Sequence, residues 1–489
     1  SIKVRHGGDD SIFSQTVTLA NRTGKLESIL LVTHRDADEV ENHDDSETDT
    51  DEQEYESNNV LAKLQYQLNK SHRIGLTIED FKSKNRTDIP SKLSSSSYSD
   101  YYYGDDVTDR QRVSIFHQWQ ADNAVFDQLN WSIDYQASNS DQETHTIYTN
   151  TRSPVPAPLA RIKDYTQEEK LTRFAAQFDK TLDNHRITYG LEYQDTELTN
   201  EQFTLYPTDS SSNTYNRAIP IVEGKAYGLY VQDQISFLDD SLLVTPGVRY
   251  DKFKTKTELD DNYTPPAGAA NSLTDHNSDK ATFRLGAVYK ITDTTSTFAQ
   301  YSQGFKAPDL LDMYYASERN YGPGNHTLSA PNPELDPETS NSYEIGLRVK
   351  GGIGNLEVAA FYNDYDDFIE SVSISSTYDG TTYDGVTQSR NIDSATIKGV
   401  EARGAAWLDQ AIGAPAGTSL QASIAYAKGE NNEDDTSLDS IAPIKAVIGI
   451  SYDSPSEVWG TTLNWTLVKS KAKNDLTDED TFATPGYGL

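Results

Sequence analysis

Apolar and polar residues alternate with a period of two along almost the whole chain, and the 3.6-residue period of an amphipathic helix is scarce. Val60, Ala62, Leu64, Tyr66 and Leu68 alternate with Leu61, Lys63, Gln65 and Gln67. Leu129, Trp131, Ile133 and Tyr135 alternate with Asn130, Ser132 and Asp134, and the pattern returns over 187–193, 242–250, 446–452 and 463–467. Several runs carry Tyr or Trp near an end. Each strand therefore has one apolar face with aromatic ends and one polar face, over the roughly ten residues that a tilted strand needs to cross a bilayer. Strands of soluble sandwiches are shorter, usually about five or six residues.

The connections separate the two readings. Tight polar turns at Arg22–Lys25, Asn69–His72, Ala121–Asn123, Leu182–Asn184, Leu238–Asp240, Thr292–Thr294 and Gly351–Gly352 alternate strictly with long polar stretches. Those stretches fall near 34–58, 84–108, 137–167, 195–223, 254–280, 304–339, 364–391, 429–440 and 469–486. Unstructured stretches of this length are improbable in a compact soluble domain. An outer-membrane barrel, with short turns on one side and long loops on the other, requires that rule. Nineteen strands are predicted, from 2–7 to 458–468, and Thr484–Leu489 reads as the opening of a twentieth. An odd count leaves an unpaired edge, whereas bacterial barrels close with even counts. The expectation is an all-β transmembrane antiparallel barrel of the 22-stranded type, with about nineteen strands in 1–489 and the last strands missing.

Composition agrees and excludes other classes. The 76 Asp plus Glu against 42 Lys plus Arg leave a net charge of −34, so the basic footprint of a nucleic-acid binder is missing. With no Cys there are no disulfides, thiolate metal sites or thiol nucleophiles. Mean hydropathy is −0.68, and no apolar run approaches the roughly 18 residues of a spanning helix. The 30 Tyr against 15 Phe suit a membrane–water boundary, where a ring with a polar tip sits at the headgroups. The chain begins with Ser and shows no leader, and reads as a processed or cut piece.

The stretch 301–347 reads YSQGFKAPDLLDMYYASERNYGPGNHTLSAPNPELDPETSNSYEIGL: a strand end, a Pro stop, a long loop with Gly and Pro, and a Pro-rich entry into the next strand. It resembles the seventh external loop of TonB-dependent haem and haemoglobin receptors, which carries a Phe-Arg-Ala-Pro box and an Asn-Pro-Asn-Leu box with an axial haem His between them. Phe305, Lys306, Ala307 and Pro308 match the first box with Lys in place of Arg. Asn332, Pro333, Glu334 and Leu335 match the second with Glu in place of Asn. The similarity continues through FYNDYDDFIE, IKGVEARG and the terminal TPGY.

The resemblance implies an outer-membrane receptor that takes up haem iron from haem or haemoglobin, with His326 as an axial ligand. Neutral imidazole is a standard haem ligand, although a lone loop His is more often merely solvated. The second ligand, a plug domain and its link to the TonB energy-transducing complex belong to the family but not to these residues. Tyr314, Tyr315 and Tyr321 offer porphyrin stacking or iron ligation, with ordinary loop aromatics as the plainer alternative. His43 and His145, in outer stretches, are accessory haem-capture candidates. The acidic run from Asp36 to Glu56 is a weak calcium candidate, because it lacks the spacing and the Gly of an EF-hand loop. No nucleophile elbow, P-loop or HExxH motif marks an enzyme. The alternatives are a ferric-siderophore receptor, a passive porin-like channel and a barrel hydrolase.

Overall fold

The computed structural model describes residues 1–7, 11–39, 50–94, 97–149, 157–266, 269, 273–320, 322, 324–392, 394–432, 436–438, 440–456, 458–471 and 485–488. The chain forms one 22-stranded sheet with two small satellite sheets. Nineteen strands make its wall: β1 (Ile2–His6), β2 (Phe13–Thr23), β3 (Leu26–Asp38), β4 (Gln53–Gln67), β5 (His72–Asp88), β6 (Tyr98–Gln120), β7 (Gln128–Thr149), β8 (Pro158–Leu182), β9 (His185–Leu205), β10 (Ile221–Phe237), β11 (Leu242–Glu258), β12 (His276–Lys290), β13 (Thr295–Lys306), β14 (Glu338–Gly351), β15 (Gly354–Asp366), β16 (Ala395–Trp407), β17 (Thr418–Asn431), β18 (Lys445–Asp453) and β19 (Gly460–Val468). Each pairs antiparallel with its sequence neighbours. The other three are short: Thr214–Asn216, Thr436–Ser437 and Tyr487–Gly488. Tyr487–Gly488 pairs with β19, where the twentieth strand was expected to open. Among the described residues, no ladder joins β1 to the last strand.

The wall has an apolar outer band. Ile133, Leu229, Ile345 and Leu463 stand exposed on it, Leu463 at 72%. Leaving so much apolar surface in water costs about 25 cal/mol per Å², so the band requires lipid. Inward-facing positions carry charge instead: Arg112 pairs with Asp134 at 2.8 Å, and Glu192 joins Arg173 at 2.7 Å to Arg249 at 2.9 Å. At the turn end a row of rings crosses β5 to β9. His72 stacks on Trp119 at 5.4 Å, Trp119 meets Phe126 at 5.1 Å, Phe126 meets Phe178 at 5.6 Å, and Phe178 stacks on Tyr189 at 5.1 Å. This is an aromatic girdle at the interface. Tyr301, Tyr343 and Tyr362 align across β13, β14 and β15, their rings 5.1 and 6.3 Å apart.

One expectation needs correction. The polarity of 84–108, 137–167 and 195–223 predicts loops, yet β6 to β9 run on through much of them as strands of 21 to 25 residues. Beyond the membrane both faces of a strand meet water, so the apolar alternation stops while backbone pairing continues. The pattern measures the lipid-facing span, not the strand.

Candidate functional site

The two buried hydrophobic clusters of the described residues lie among the far-end connections, in and around the seventh (307–337) and eighth (367–394). Pro308 ends β13, and the Asp309 carboxylate accepts from the Leu311 N–H at 3.1 Å to start a single helical turn, α1 (Leu310–Tyr314). That turn drives Met313 and Tyr314 into a core with Leu198, Ile219, Val222 and Leu335. Three successive outer connections are thereby joined, since the Tyr314 hydroxyl donates to the Thr274 carbonyl at 3.0 Å. Burial, and then Asp275, pushes the Tyr314 phenol pKa up, so it stays protonated as a structural donor.

The two boxes are the fasteners of this fold. Phe305 meets Phe253 edge-on at 5.6 Å, and Lys306 pairs with Glu338 at 3.3 Å across the base of the loop. The Asn332 N–H donates to the Met313 carbonyl at 2.9 Å, and its side-chain amide donates to the Ser389 carbonyl at 2.8 Å. Asn332 Oδ1 accepts from the Glu334 N–H at 3.2 Å. The Pro333 carbonyl accepts from His276 Nδ1 at 2.6 Å, and Leu335 is 1% exposed. Ala307 and Pro308 line a cavity of about 370 Å³ under the helix.

His326 opens the strand His326–Ala330, which pairs antiparallel with Ser317–Asn320 and parallel with Gly385–Ile392 of the next connection. Its N–H donates to Asp384 Oδ2 at 2.7 Å, and its carbonyl accepts from the Asp384 N–H at 2.7 Å. The Tyr383 ring lies 4.6 Å from the imidazole. His326 Nε2 sits 2.6 Å from Glu318 Oε1. A carboxylate only accepts, so Nε2 carries the proton, and in the neutral ring the lone pair is on Nδ1. Nδ1 has no hydrogen-bond partner among the described residues. A carboxylate holding one ring nitrogen while the other is free is the arrangement that orients histidine ligands to metals.

Of the other candidates, Tyr315 is partly exposed beside the helix, and His43 and Tyr321 lie outside the described residues. His145 stacks on Tyr103 at 4.6 Å and its Nε2 lies 2.5 Å from Glu143. By strand alternation it is on the outer face of β7, away from the barrel interior. Within the acidic run, Asp36 pairs with His34 at 2.9 Å. Among the described residues no cluster of three or more His, Asp or Glu is arranged to hold a metal ion. Glu318, Tyr383 and Asp384 carry no signal in the sequence, because only the folding of two connections into one sheet brings them to His326.

A many-stranded wall with an apolar outer band, a charged interior and long connections folded into one mouth is the architecture of outer-membrane transport barrels. The chain belongs to the TonB dependent receptor-like, beta-barrel family, whose model matches residues 41–489. It is 27% identical over 467 residues to the hemoglobin-haptoglobin utilization protein B of Neisseria meningitidis serogroup C, covering 87% of this chain and 56% of that protein. The chain thus spans little more than half the length of that relative. Among solved structures, the copper transporter OprC superposes with a TM-score of 0.70 at 16% identity, covering 98% of this chain and 69% of that one. The Serratia marcescens hemophore receptor HasR, solved with its hemophore HasA and heme, superposes with a TM-score of 0.64 at 13% identity, covering 100% and 73%. At these identities the likeness is one of fold. The long connections lie at one end of this wall and the tight turns at the other.

Proposed function

We propose that this barrel belongs to a receptor that takes up haem iron from haem or haemoglobin, with His326 donating Nδ1 to the iron. The observation that carries the reading is the Glu318–His326 pair on the seventh connection, which fixes the ring and leaves one lone pair free. The 27% identity to a hemoglobin-haptoglobin utilization protein supports haem or haemoglobin as the iron source. The imidazole stands on a sheet tied into two external connections, so ligand capture is coupled to the loops over the barrel mouth. Haem here is cargo, and the chain's own task is to bind, orient and pass it inward. The reading includes a plug domain with its TonB box and energy from an inner-membrane complex, supplied by the rest of the receptor.

The test is haem-dependent growth of cells carrying the complete receptor. His326→Ala should abolish growth on haem, whereas His72→Ala and His185→Ala at the turn ends of β5 and β9 should not. Equal growth of all three would remove His326 from the pathway. Retained uptake of a ferric siderophore, with none of haem in the unaltered receptor, would favour a siderophore cargo.

A further inference from the structure

Beyond the membrane, the inner face of β6, β7 and β8 carries a second cluster. Arg112, Asp134 and Arg173 face the barrel interior, and the β7–β8 ladder runs unshifted from Gln128 to Thr149. Counting by twos along it puts Thr146, Tyr148, Arg161 and Lys163 on that same face. Tyr98 and Tyr102 join them across the irregularity between Ser99 and Tyr102. Of the nearby carboxylates, Asp141, Glu143 and Asp164 fall on the opposite, outward face, and Asp106 shares the inner face two positions along β6 from Gly104, which aligns with Thr144 and Lys163.

Arg161 is 9% exposed, its guanidinium 3.9 Å from the centre of the Tyr148 ring and 5.9 Å from that of Tyr98. Tyr98 also meets Tyr102 at 5.0 Å. Arg161 has no carboxylate partner among the described residues. Its Nε, and the Thr146 Oγ1 opposite it in the register, are buried without hydrogen-bond partners. Lys163, next on the same face, has no ion pair or hydrogen bond among the described residues. Burial first, then Arg161 and Arg319, holds the Lys163 ammonium pKa below the usual lysine range. A buried guanidinium is costly unless an anion meets it. In a chain with 76 acidic side chains, that vacancy does not arise from a shortage of carboxylates.

We propose that this cluster receives the carboxylate edge of a flat aromatic ligand inside the vestibule, Arg161 and Lys163 pairing with the carboxylates while Tyr98, Tyr102 and Tyr148 cover the ring. Guanidinium forks match carboxylates bidentately, and tyrosine supplies rigid stacking area. The inference deepens the haem reading and rests on it for the choice of porphyrin, whose propionates are the carboxylates. Glu318 and Arg319 are consecutive on one strand and face opposite sides of the small sheet, so His326 and the cationic cluster are separate stations. The inward direction of the cluster argues against lipid phosphates at the outer surface.

The experiment is fluorescence titration of the complete, detergent-solubilised receptor with iron-free protoporphyrin IX and with its dimethyl ester, neither of which can use an iron ligand. The free acid should bind at least about tenfold tighter than the ester. Arg161→Gln and Lys163→Gln should each erase about that difference, and His185→Ala, at the turn end of β9, should leave both affinities unchanged. Lys163 is only half-buried, so its variant keeps the test sound if Arg161→Gln misfolds. Equal binding of acid and ester, or full affinity in a folded Lys163→Gln receptor, overturns the proposal. Should the acid–ester difference hold while haem binding proves indifferent to His326, the iron-ligand reading falls and this station stands.

Discussion

The Glu318–His326 pair concentrates the functional argument into two side chains. A carboxylate on one ring nitrogen fixes both the tautomer and the direction of the other, and raises its basicity. Glu318→Ala in the complete receptor should therefore weaken haem binding by about 10- to 100-fold while leaving the fold intact, as read by equilibrium titration. Unchanged affinity would show that the ring needs no orienting partner. On the wall, neighbouring residues differ as sharply. Ile133 faces lipid, and replacing it with Arg should cost about 2–4 kcal/mol in denaturant unfolding from bilayers. Ser132, facing inward with its hydroxyl on Asp134 at 3.0 Å, should tolerate Asn within about 0.5 kcal/mol. Equal costs at both positions would mean that the two faces are misassigned.

The elements divide into those written in local pattern and those written only in long-range contacts. Lipid-facing strands such as β4 and β7 were legible because their alternation is imposed by two different solvents. The outer halves of β6 to β9 were not, because there water bathes both faces and polarity carries no period. The helix α1 has one turn, too short for any periodicity to mark it. Its docking carries a titration. Burial raises the Asp312 carboxyl pKa; Asp309 adds to this, and the Ser389 hydroxyl, donating at 3.3 Å, and Lys306 oppose it. An acid whose pKa is raised on docking binds its proton more tightly when docked. Docking is therefore strongest at low pH and weakens as pH rises from about 4, the ordinary Asp value, through the raised one. Asp312→Asn should keep the Ser389 contact, remove that dependence and increase hydrogen-exchange protection of the Met313 and Tyr314 amides at neutral pH. Lower protection in the variant would contradict the burial argument.

At the scale of the whole molecule, the wall and the mouth do different work. Apolar residues of the outer band face lipid, while the buried apolar clusters gather the connections above it onto one another and onto the outer ends of β9 and β10. The class was readable because short and long connections alternate, and both boxes of the seventh connection stood out as motifs. Their physical role as fasteners, and the partners of His326, were not, since Ser389, Asp384 and His276 are far from them in sequence. Protease added to intact cells should cut only in the long connections and spare the turn Asn69–His72, whose backbone is tied by Asn69 Oδ1 to the Ser71 and His72 N–H groups. Cleavage at that turn in intact cells would reverse the orientation.

The central claim is that this barrel hands haem iron to the His326 imidazole. Absorbance titration of the purified complete receptor with ferric haem tests it most directly. A shift of the Soret band to a low-spin, histidine-ligated form in the unaltered receptor, lost in His326→Ala, is the expected result. The same low-spin spectrum in His326→Ala would contradict it.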